Sequence, residues 1–591
     1  MSQSVYFNGE LITIPGAYSS VDVSAMSTKR DGEGSKIIAI LGECTGGEPG
    51  VIQFFDEPTA AKKVLKSGEL LKACEKAWDP VSRTKEGVKL GGANTIACIR
   101  TNTATKSKHE IKAKVDDPTA QIVFESKDWG DNTRHQIKMS DGSLNNTKKV
   151  VVYDQTKGTY ETYDNVGNLF SMSYTGSAAY AELNVFLDGN DSMFLQTKVG
   201  EDAATAQEDI KIKLDPKSIK TLKGLINQLQ SYENYTVSST NPYNNKLIVT
   251  DLDFVTKQSI KLDAGQTAHR VTAVYADLKN KFDTISQLVR VSSFDKSKGT
   301  IENFDYITLD GGVQGTSPAS WVYFFDMLSN FDIFYIVPLT HEVSIHAELA
   351  SHITTLSGNL GKERRGVVGG TINETVAETL QRARDLASSR VQVVHGGFYD
   401  YNSDNELELY APYVLAAQHA GRAAFLEDGE SATHDTYRMS VPEYKLERTE
   451  LTQLLAGGCL AFEFVLGRNS TAQSFVRLVH DLTTDTTSSD TVHTERATGA
   501  LADSINKEIR DELDNLLTGK RTAVADLTSA KNRVISILAN RKRKSQIIDY
   551  KDVYVTKVGT VTEIDYSVAP AEPNNFTLIT AHYYSETIAA E

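Results

Sequence analysis

Four stretches of this 591-residue chain set polar or glycine residues at spacings that chemistry uses. Asp310-Gly-Gly-Val-Gln-Gly315 is a glycine-rich loop ahead of an apolar segment, and glycines that admit positive φ let backbone amides wrap a phosphate. No Gly-x-x-x-x-Gly-Lys-Ser/Thr pattern accompanies it. Gly361-Lys362 and Gly519-Lys520 lack both the spacing and the hydroxyl. His341, His346 and His352 do not fall four apart, the interval that puts two ligands on one helix face, so they read as helix-surface histidines. Asp481 to Asp490 carries many oxygen donors but neither the glycine nor the closing glutamate of a calcium loop, and reads as a polar loop. Arg541, Lys542, Arg543 and Lys544 form a basic run that fits two readings, a solvated helix end complementing the macrodipole or a protein-contact patch. There is no Gly-x-Ser-x-Gly elbow. The expectation is no enzyme, no cofactor and no metal.

Composition narrows the class further. A formal net charge of −15 argues against a nucleic-acid partner. Cys44, Cys74, Cys98 and Cys459 lie far apart with no Cys-x-x-Cys pair, as reduced core thiols of a cytosol-folded protein do. No basic-then-apolar leader opens the chain, and no apolar stretch approaches the roughly 18 residues of a membrane span, so neither secretion nor membrane insertion is expected. The length fits about three to five domains.

The elements follow from hydrophobic period. Lys36–Leu41 and Thr95–Ile99 read as buried strands, with helices over Thr59–Lys66 and Glu69–Trp78. Pro318 reads as the opening of a helix bearing Trp321, Phe324, Phe325 and Leu328. Phe334–Leu339, Gly366–Val368 and Val391–His395 then alternate with helices over Ser344–Leu356 and Thr375–Leu386. Such alternation implies a parallel sheet. The expected fold is multidomain, α/β and α+β. A split α/β core takes 21–103 and 296–445, and a β-rich insertion of one or two small domains takes 104–295. In the insertion, Val150–Tyr153 and Lys246–Thr250 read as strands and Ser218–Ser231 as a helix. An α+β domain takes 446–575. In it, Leu501, Ile505, Ile509, Leu513 and Leu516 step along one helix face, a second helix covers Leu527 to Leu538, and strands cover Val553–Val558 and Val561–Val568. Extended arms take 1–20 and 576–591, with strand character at Glu10–Ile14 and Phe576–Tyr584. The N-terminal arm fits either a frayed terminus or a strand donated to a neighbour's sheet edge.

Several motifs in order resemble the contractile tail sheath proteins of phages. Pro15-Gly-Ala-Tyr18 is similar to the Pro-Gly-Val-Tyr turn near sheath N-termini. Trp129 to Ile137 resembles the family's Gly-Asn-x-Ile segment with extra residues, and Leu309-Asp-Gly-Gly-Val-Gln-Gly315 resembles its Leu-x-Gly-Gly-x-x-Gly. Arg364-Arg-Gly-Val-Val-Gly-Gly370 looks like the strand that follows an arginine, and Ala411 to Gly421 like the helix that starts at a proline and ends in Ala-Gly. Gly457 to Val465 and Gly519-Lys-Arg-Thr522 fit the C-terminal domain, while Gly467-Arg468-Asn469 departs from an expected Gly-Arg-Thr. The resemblance covers most of the chain, is weakest over 140–295, and points to sheaths of large phages of Gram-positive hosts.

The resemblance implies a structural subunit of the virion, assembled in the host cytoplasm. Its copies form hexameric rings stacked helically on the tail tube protein, between baseplate and neck or terminator proteins, and contract without nucleotide or cofactor. Inter-subunit strands come from Glu10, Leu11, Ile12, Thr13 and Ile14 and from Phe576, Leu578 and Ile579. The 446–575 domain faces the tube, and the insertion faces outward. Two charged features of that domain are candidates for the tube contact: the basic run Arg541, Lys542, Arg543 and Lys544, where an otherwise acidic chain concentrates positive charge, and the acidic helix face of Glu508, Asp511, Glu512 and Asp514. A related injection machine, or an α/β enzyme with a β-rich lid, are the alternatives.

Overall fold

A computed structural model describes the chain except residues 1–4, 8–9, 13–35, 115, 240–246, 263–267, 360, 403–404, 468–473 and 584–591. The chain divides into two compact units, one of residues 1–22 with 104–315 and the other of residues 23–103 with 316–591.

The larger unit is built on a seven-stranded sheet in the order Cys459–Leu460, Val391–Val394, Arg365–Gly369, Ile333–Pro338, Ile37–Gly42, Ile96–Arg100, Ile52–Phe55. All neighbours pair in parallel except the last, where Ile52–Phe55 runs antiparallel to Ile96–Arg100. The central strands are runs of consecutive apolar residues because both faces are covered. Helices Glu69–Trp78 and Pro412–Phe425 pack on the face that carries Ile38, Ile40 and Val337. Helices Val322–Leu328, Val343–Thr354, Val376–Leu386 and Arg448–Ala456 pack on the face that carries Ala39, Leu41 and Ile336. Strands from both sides of the insertion thus join in one sheet, the four that follow it on one side and the three that precede it on the other, and Cys459–Leu460, assigned by sequence to the 446–575 domain, forms one edge.

Three local expectations are corrected here. The helix after Pro318 begins only at Val322, because the Pro318 carbonyl accepts the Trp321 indole N–H and Glu348 accepts the Trp321 backbone N–H. The helix expected to end at Gly421 runs to Phe425. Gly421 lies inside it because a Cβ there would overlap the carbonyl of Ala77, so the residue sets how closely the two helices cross. In the insertion, Lys246 lies outside the described residues, and Val249–Asp251 is a 3₁₀ turn, not a strand. The Asp251 carboxylate accepts the Ile248 N–H at 2.8 Å while Leu247 and Val249 fill the core.

The smaller unit is mostly antiparallel sheet around two cores. One holds Leu169, Leu183, Leu195 and the helix Leu222–Gln230. The other holds Phe124, Val150, Val152 and the helix Val274–Thr284. Its entry and exit strands lie side by side: Thr105 N–H donates to the Val313 carbonyl at 3.0 Å, and Ala104 bridges to Gln314. Just beyond, in the larger unit, Thr103 N–H donates to the Thr316 carbonyl at 3.3 Å and the Thr101 and Ser317 hydroxyls meet at 2.8 Å.

Candidate functional site

The helix Arg496–Leu517 starts inside the larger unit's core and ends as a one-sided amphipathic rod. Arg496 to Leu501 and Asp503 are buried, after which only Ile505, Ile509 and Leu513 are. That stripe packs with Ala530, Val534 and Leu538 of the helix Val524–Arg543. Against this pair lies a hairpin, Ile547–Val558 paired antiparallel with Val561–Pro570. Gly559 at positive φ makes its turn. Val553, Val555, Ile564, Tyr566 and Val568 face the helices, while Ile548, Tyr554, Val558 and Val561 are exposed. Among the described residues the sheet has two strands, so the outer edge of each is unpaired. Unpaired edges of this length accept further strands.

A groove of about 400 Å³ runs between the helix Arg496–Leu517 and the strand Val561–Pro570. Leu501, Ile505, Ile564, Val568 and Pro570 make it apolar. Thr498 also lines it, is 2% exposed, and its Oγ1 has no hydrogen-bond partner among the described residues.

Past Pro570 the chain leaves the sheet. The Ala571 N–H donates to the Gln546 carbonyl at 3.1 Å, Glu572 accepts from Thr491 at 2.7 Å, and Asn575 donates to Glu495 at 2.6 Å. Residues 576–583 then run without strand pairing, so among the described residues the expected strand from Phe576 is not formed, and Tyr584 lies outside them. Phe576 is 80%, Leu578 94%, Ile579 86% and Tyr583 95% exposed. Large apolar side chains clustered and exposed in one short segment are the kind of patch that marks an interaction surface. At the other terminus, Val5–Phe7 pairs antiparallel with Glu10–Ile12, which includes Leu11. Thr13, Ile14 and the turn Pro15–Tyr18 lie outside the described residues, as do Arg468 and Asn469.

Ion pairs fasten the hairpin's helices to the sheet. Asp503 accepts from Arg365 at 2.9 Å and from Arg390 at 2.7 Å. Asp428 accepts from Lys36 at 2.8 Å and Arg541 at 2.7 Å. Burial works against the charge of Asp428, but Lys36, Ser504 and Arg541 hold its carboxyl well below the usual range. Arg541 also reaches Glu508 at 2.6 Å, so it is half-buried in this cluster and not free for a partner. The other members of the basic run differ. Lys542 pairs with Asp549 at 2.8 Å, Arg543 donates to Asn540, and Lys544 caps the helix, all three exposed.

Two further readings change with the geometry. Asp481 is no part of a solvated loop. It is buried and bound to Arg496, and although burial opposes its charge, Arg496 and His419 keep it well below the carboxylate range. His346 is not on the helix surface. It is fully buried, with Nδ1 against Arg382 at 3.2 Å and Nε2 against the Thr340 carbonyl at 2.9 Å. Asp428 and Asp503 carried no sequence signal, since their partners are distant in the chain, and Thr498 carried none because its buried hydroxyl has no partner among the described residues. No helix of the described residues is long and apolar enough to cross a membrane.

The fold of this chain is shared with solved proteins. The sheath tail protein Lin1278 from Listeria innocua superposes with a TM-score of 0.55 at 14% identity, covering 92% of this chain and 93% of its own. The sheath tail protein DSY3957 from Desulfitobacterium hafniense gives 0.52 at 13% identity, covering 94% and 97%. No family model matches the sequence. Sequence relatives are closer. The tail sheath protein of Bacillus phage SP01 is 30% identical over 590 residues, 99% of this chain and 97% of that protein. The tail sheath protein of Staphylococcus phage Twort is 27% identical over 606 residues, 98% of each chain. The chain therefore belongs to the phage tail sheath proteins and is a structural component of the virion.

Proposed function

We propose that this protein is a contractile sheath subunit that polymerises as stacked hexameric rings around the tail tube and, without catalysis, drives the tube through the host envelope as the rings rearrange. The observation that carries this reading is the two-stranded hairpin with free edges in the same chain as an exposed apolar C-terminal segment. A strand of five residues adds several backbone hydrogen bonds, each contributing about 0.5–1.5 kcal/mol net, so an arm seated on a neighbour's edge contributes several kcal/mol. Glu10 to Ile14 and Phe576, Leu578 and Ile579 are the donated strands in this proposal. The domains swing as rigid bodies about such arms, and the extended sheath is a kinetically held state. Self-association, the tube, the baseplate and the neck proteins are the partners it requires.

Removing residues 1–19 is expected to leave a folded protein that no longer polymerises. Circular dichroism would keep the wild-type spectrum while negative-stain micrographs lose sheath-like tubes. Polysheaths of normal length from the truncated chain would sink the assignment of this arm as a donated strand.

For the tube contact we propose the exposed part of the basic run, Lys542, Arg543 and Lys544. Exposed ion pairs contribute only about 0–1 kcal/mol each, enough to guide growth on the tube without locking the sheath to it. Reversing these three charges to Glu should impair growth on purified tubes while tube-free polysheaths still form. Normal coating of tubes would shift the assignment to the acidic helix face of Glu508, Asp511, Glu512 and Asp514.

A further inference from the structure

Cys44, Cys74 and Cys98, remote from one another in sequence, meet in one core on the face of the seven-stranded sheet that carries Ile38 and Ile40. Cys98 lies on the strand Ile96–Arg100, paired with Ile40 on one side and Gln53 on the other. Cys74 comes onto it from the helix Glu69–Trp78. The two sulfurs stand 3.3 Å apart, and both residues are buried. Cys44 is engaged locally, its Sγ donating to the Gly46 carbonyl at 3.1 Å, and Cys459 belongs to the core on the opposite face. Among the described residues no three side chains come together that could hold a metal, so the convergence is a dithiol and not a metal centre.

The elements hold this pair in place. The strand is hydrogen-bonded along both edges, and the helix is pressed against Pro412–Phe425 at the close approach of Gly421 to Ala77. A disulfide needs its sulfurs about 2 Å apart, so closing the bond asks for a movement of about 1.3 Å. Between the two cysteines the chain forms a single short strand, Val81–Arg83. A bond from Cys74 to Cys98 would tie that stretch into a loop anchored at both ends, which stabilises mainly by restricting the unfolded chain. Burial, and after it the neighbouring Cys98, push the Cys74 thiol well above its ordinary range. Thiolate is therefore scarce and the pair reacts slowly. It stays reduced in a cytosol, whereas a virion component then passes to surroundings where no thiol pool reverses oxidation.

We propose that Cys74 and Cys98 are an oxidisable pair that a peroxide joins as a disulfide once the subunit is outside the cell, fastening the helix Glu69–Trp78 to the central sheet. One thiol, as its thiolate, attacks the peroxide and breaks the O–O bond, giving a sulfenic acid and water. The second thiol attacks that sulfur, the S–S bond forms, and the S–O bond breaks with loss of a second water. Two thiols and one hydrogen peroxide thus give one disulfide and two waters. The inference is independent of the strand-exchange reading.

The full-length protein, purified under reductant, freed of it and exposed to hydrogen peroxide, tests the pair. Alkylation in denaturant should fall from four cysteines to two. Tryptic mapping without reductant should show Ala73–Lys76 joined to Leu90–Arg100. The melting temperature of the larger unit should rise by about 3–8 °C and return with dithiothreitol. Cys74→Ala or Cys98→Ala should abolish both link and shift, while Cys44→Ala and Cys459→Ala keep them. The mapping on the wild-type chain reports even if a variant fails to fold. Released phage particles should carry the linked peptide, and cells quenched with acid and alkylated before lysis should not. Four alkylatable thiols after peroxide, oxygen added to separate cysteines, or a link through Cys44 or Cys459 would overturn the pair. A link without the thermal shift would overturn its fastening role, and a link already present in quenched cells, or absent from particles, its timing.

Discussion

Replacing Asp503 with alanine should cost about 3–5 kcal/mol, the range for breaking a buried ion pair and leaving its partner uncompensated. The carboxylate takes three hydrogen bonds from two arginines and a further ion-pair contact. Arg365 donates through Nε at 2.9 Å and brings Nη2 to 2.9 Å, and Arg390 donates through Nη1 at 3.0 Å and Nη2 at 2.7 Å. Asp503 and Arg365 are each about 5% exposed, so water cannot replace the lost partner at Arg365. The helix Arg496–Leu517 should therefore loosen from the sheet before the sheet itself unfolds. Amide hydrogen exchange would report it as lost protection through residues 496–509, while the strand Tyr180–Leu187 in the other unit serves as an internal standard. Asp503→Asn should fall between wild type and alanine. A loss below about 1 kcal/mol would mean that the apolar stripe alone positions the helix.

Acid should destabilise the larger unit well before its carboxylates protonate. Burial, and for His346 the nearby Arg382, lowers His346 to about 3 and His395 to about 4, against an ordinary value of 6.5. Above pH 6.5 both are neutral whether the chain is folded or not, and contribute nothing to the pH dependence. As pH falls from 6.5 toward 4 the unfolded chain binds protons that the folded chain refuses, so stability declines through that window. Each refused proton costs about 1.36 kcal/mol for every whole step in pH, so the two histidines together cost on the order of 5 kcal/mol near pH 4.5. Asp481 and Asp428, both depressed, stay ionised there and add no loss. Urea unfolding monitored at pH 7.5, 6 and 4.5 would show the trend. His346→Gln combined with His395→Gln should make it shallower, leaving the part due to His352, which burial and Arg364 lower to about 4, and an unchanged slope in that variant would place the acid response elsewhere.

The parts legible from residue order were those set by local pattern. Glu69–Trp78 was placed residue for residue, because its apolar positions repeat at helical spacing and Asp79-Pro80 stops it. The buried strands at Ile37–Gly42 and Ile333–Pro338 were evident from unbroken β-branched and aromatic runs. What was not legible depended on partners remote in sequence. Arg541 belonged by pattern to a solvated basic run, yet Asp428, which buries it, is 113 positions away. His346 sat at a spacing useless for metal and so passed for surface, and only Arg382 and Thr340 show why it lies inside. Thr498 lacked any signal, since an unfilled hydroxyl is a property of the space around it.

The neck at Ala104 and Gln314 has a consequence for how such chains diversify. The polypeptide leaves the body and comes back within one hydrogen bond of its departure, as Thr103 and Thr316 show. A domain whose own ends lie equally close can be exchanged there as a cassette without re-threading the sheet. A new domain can then be swapped in whole while the seven-stranded sheet and its helices are inherited unchanged, and the same seam offers engineers a grafting point for cargo.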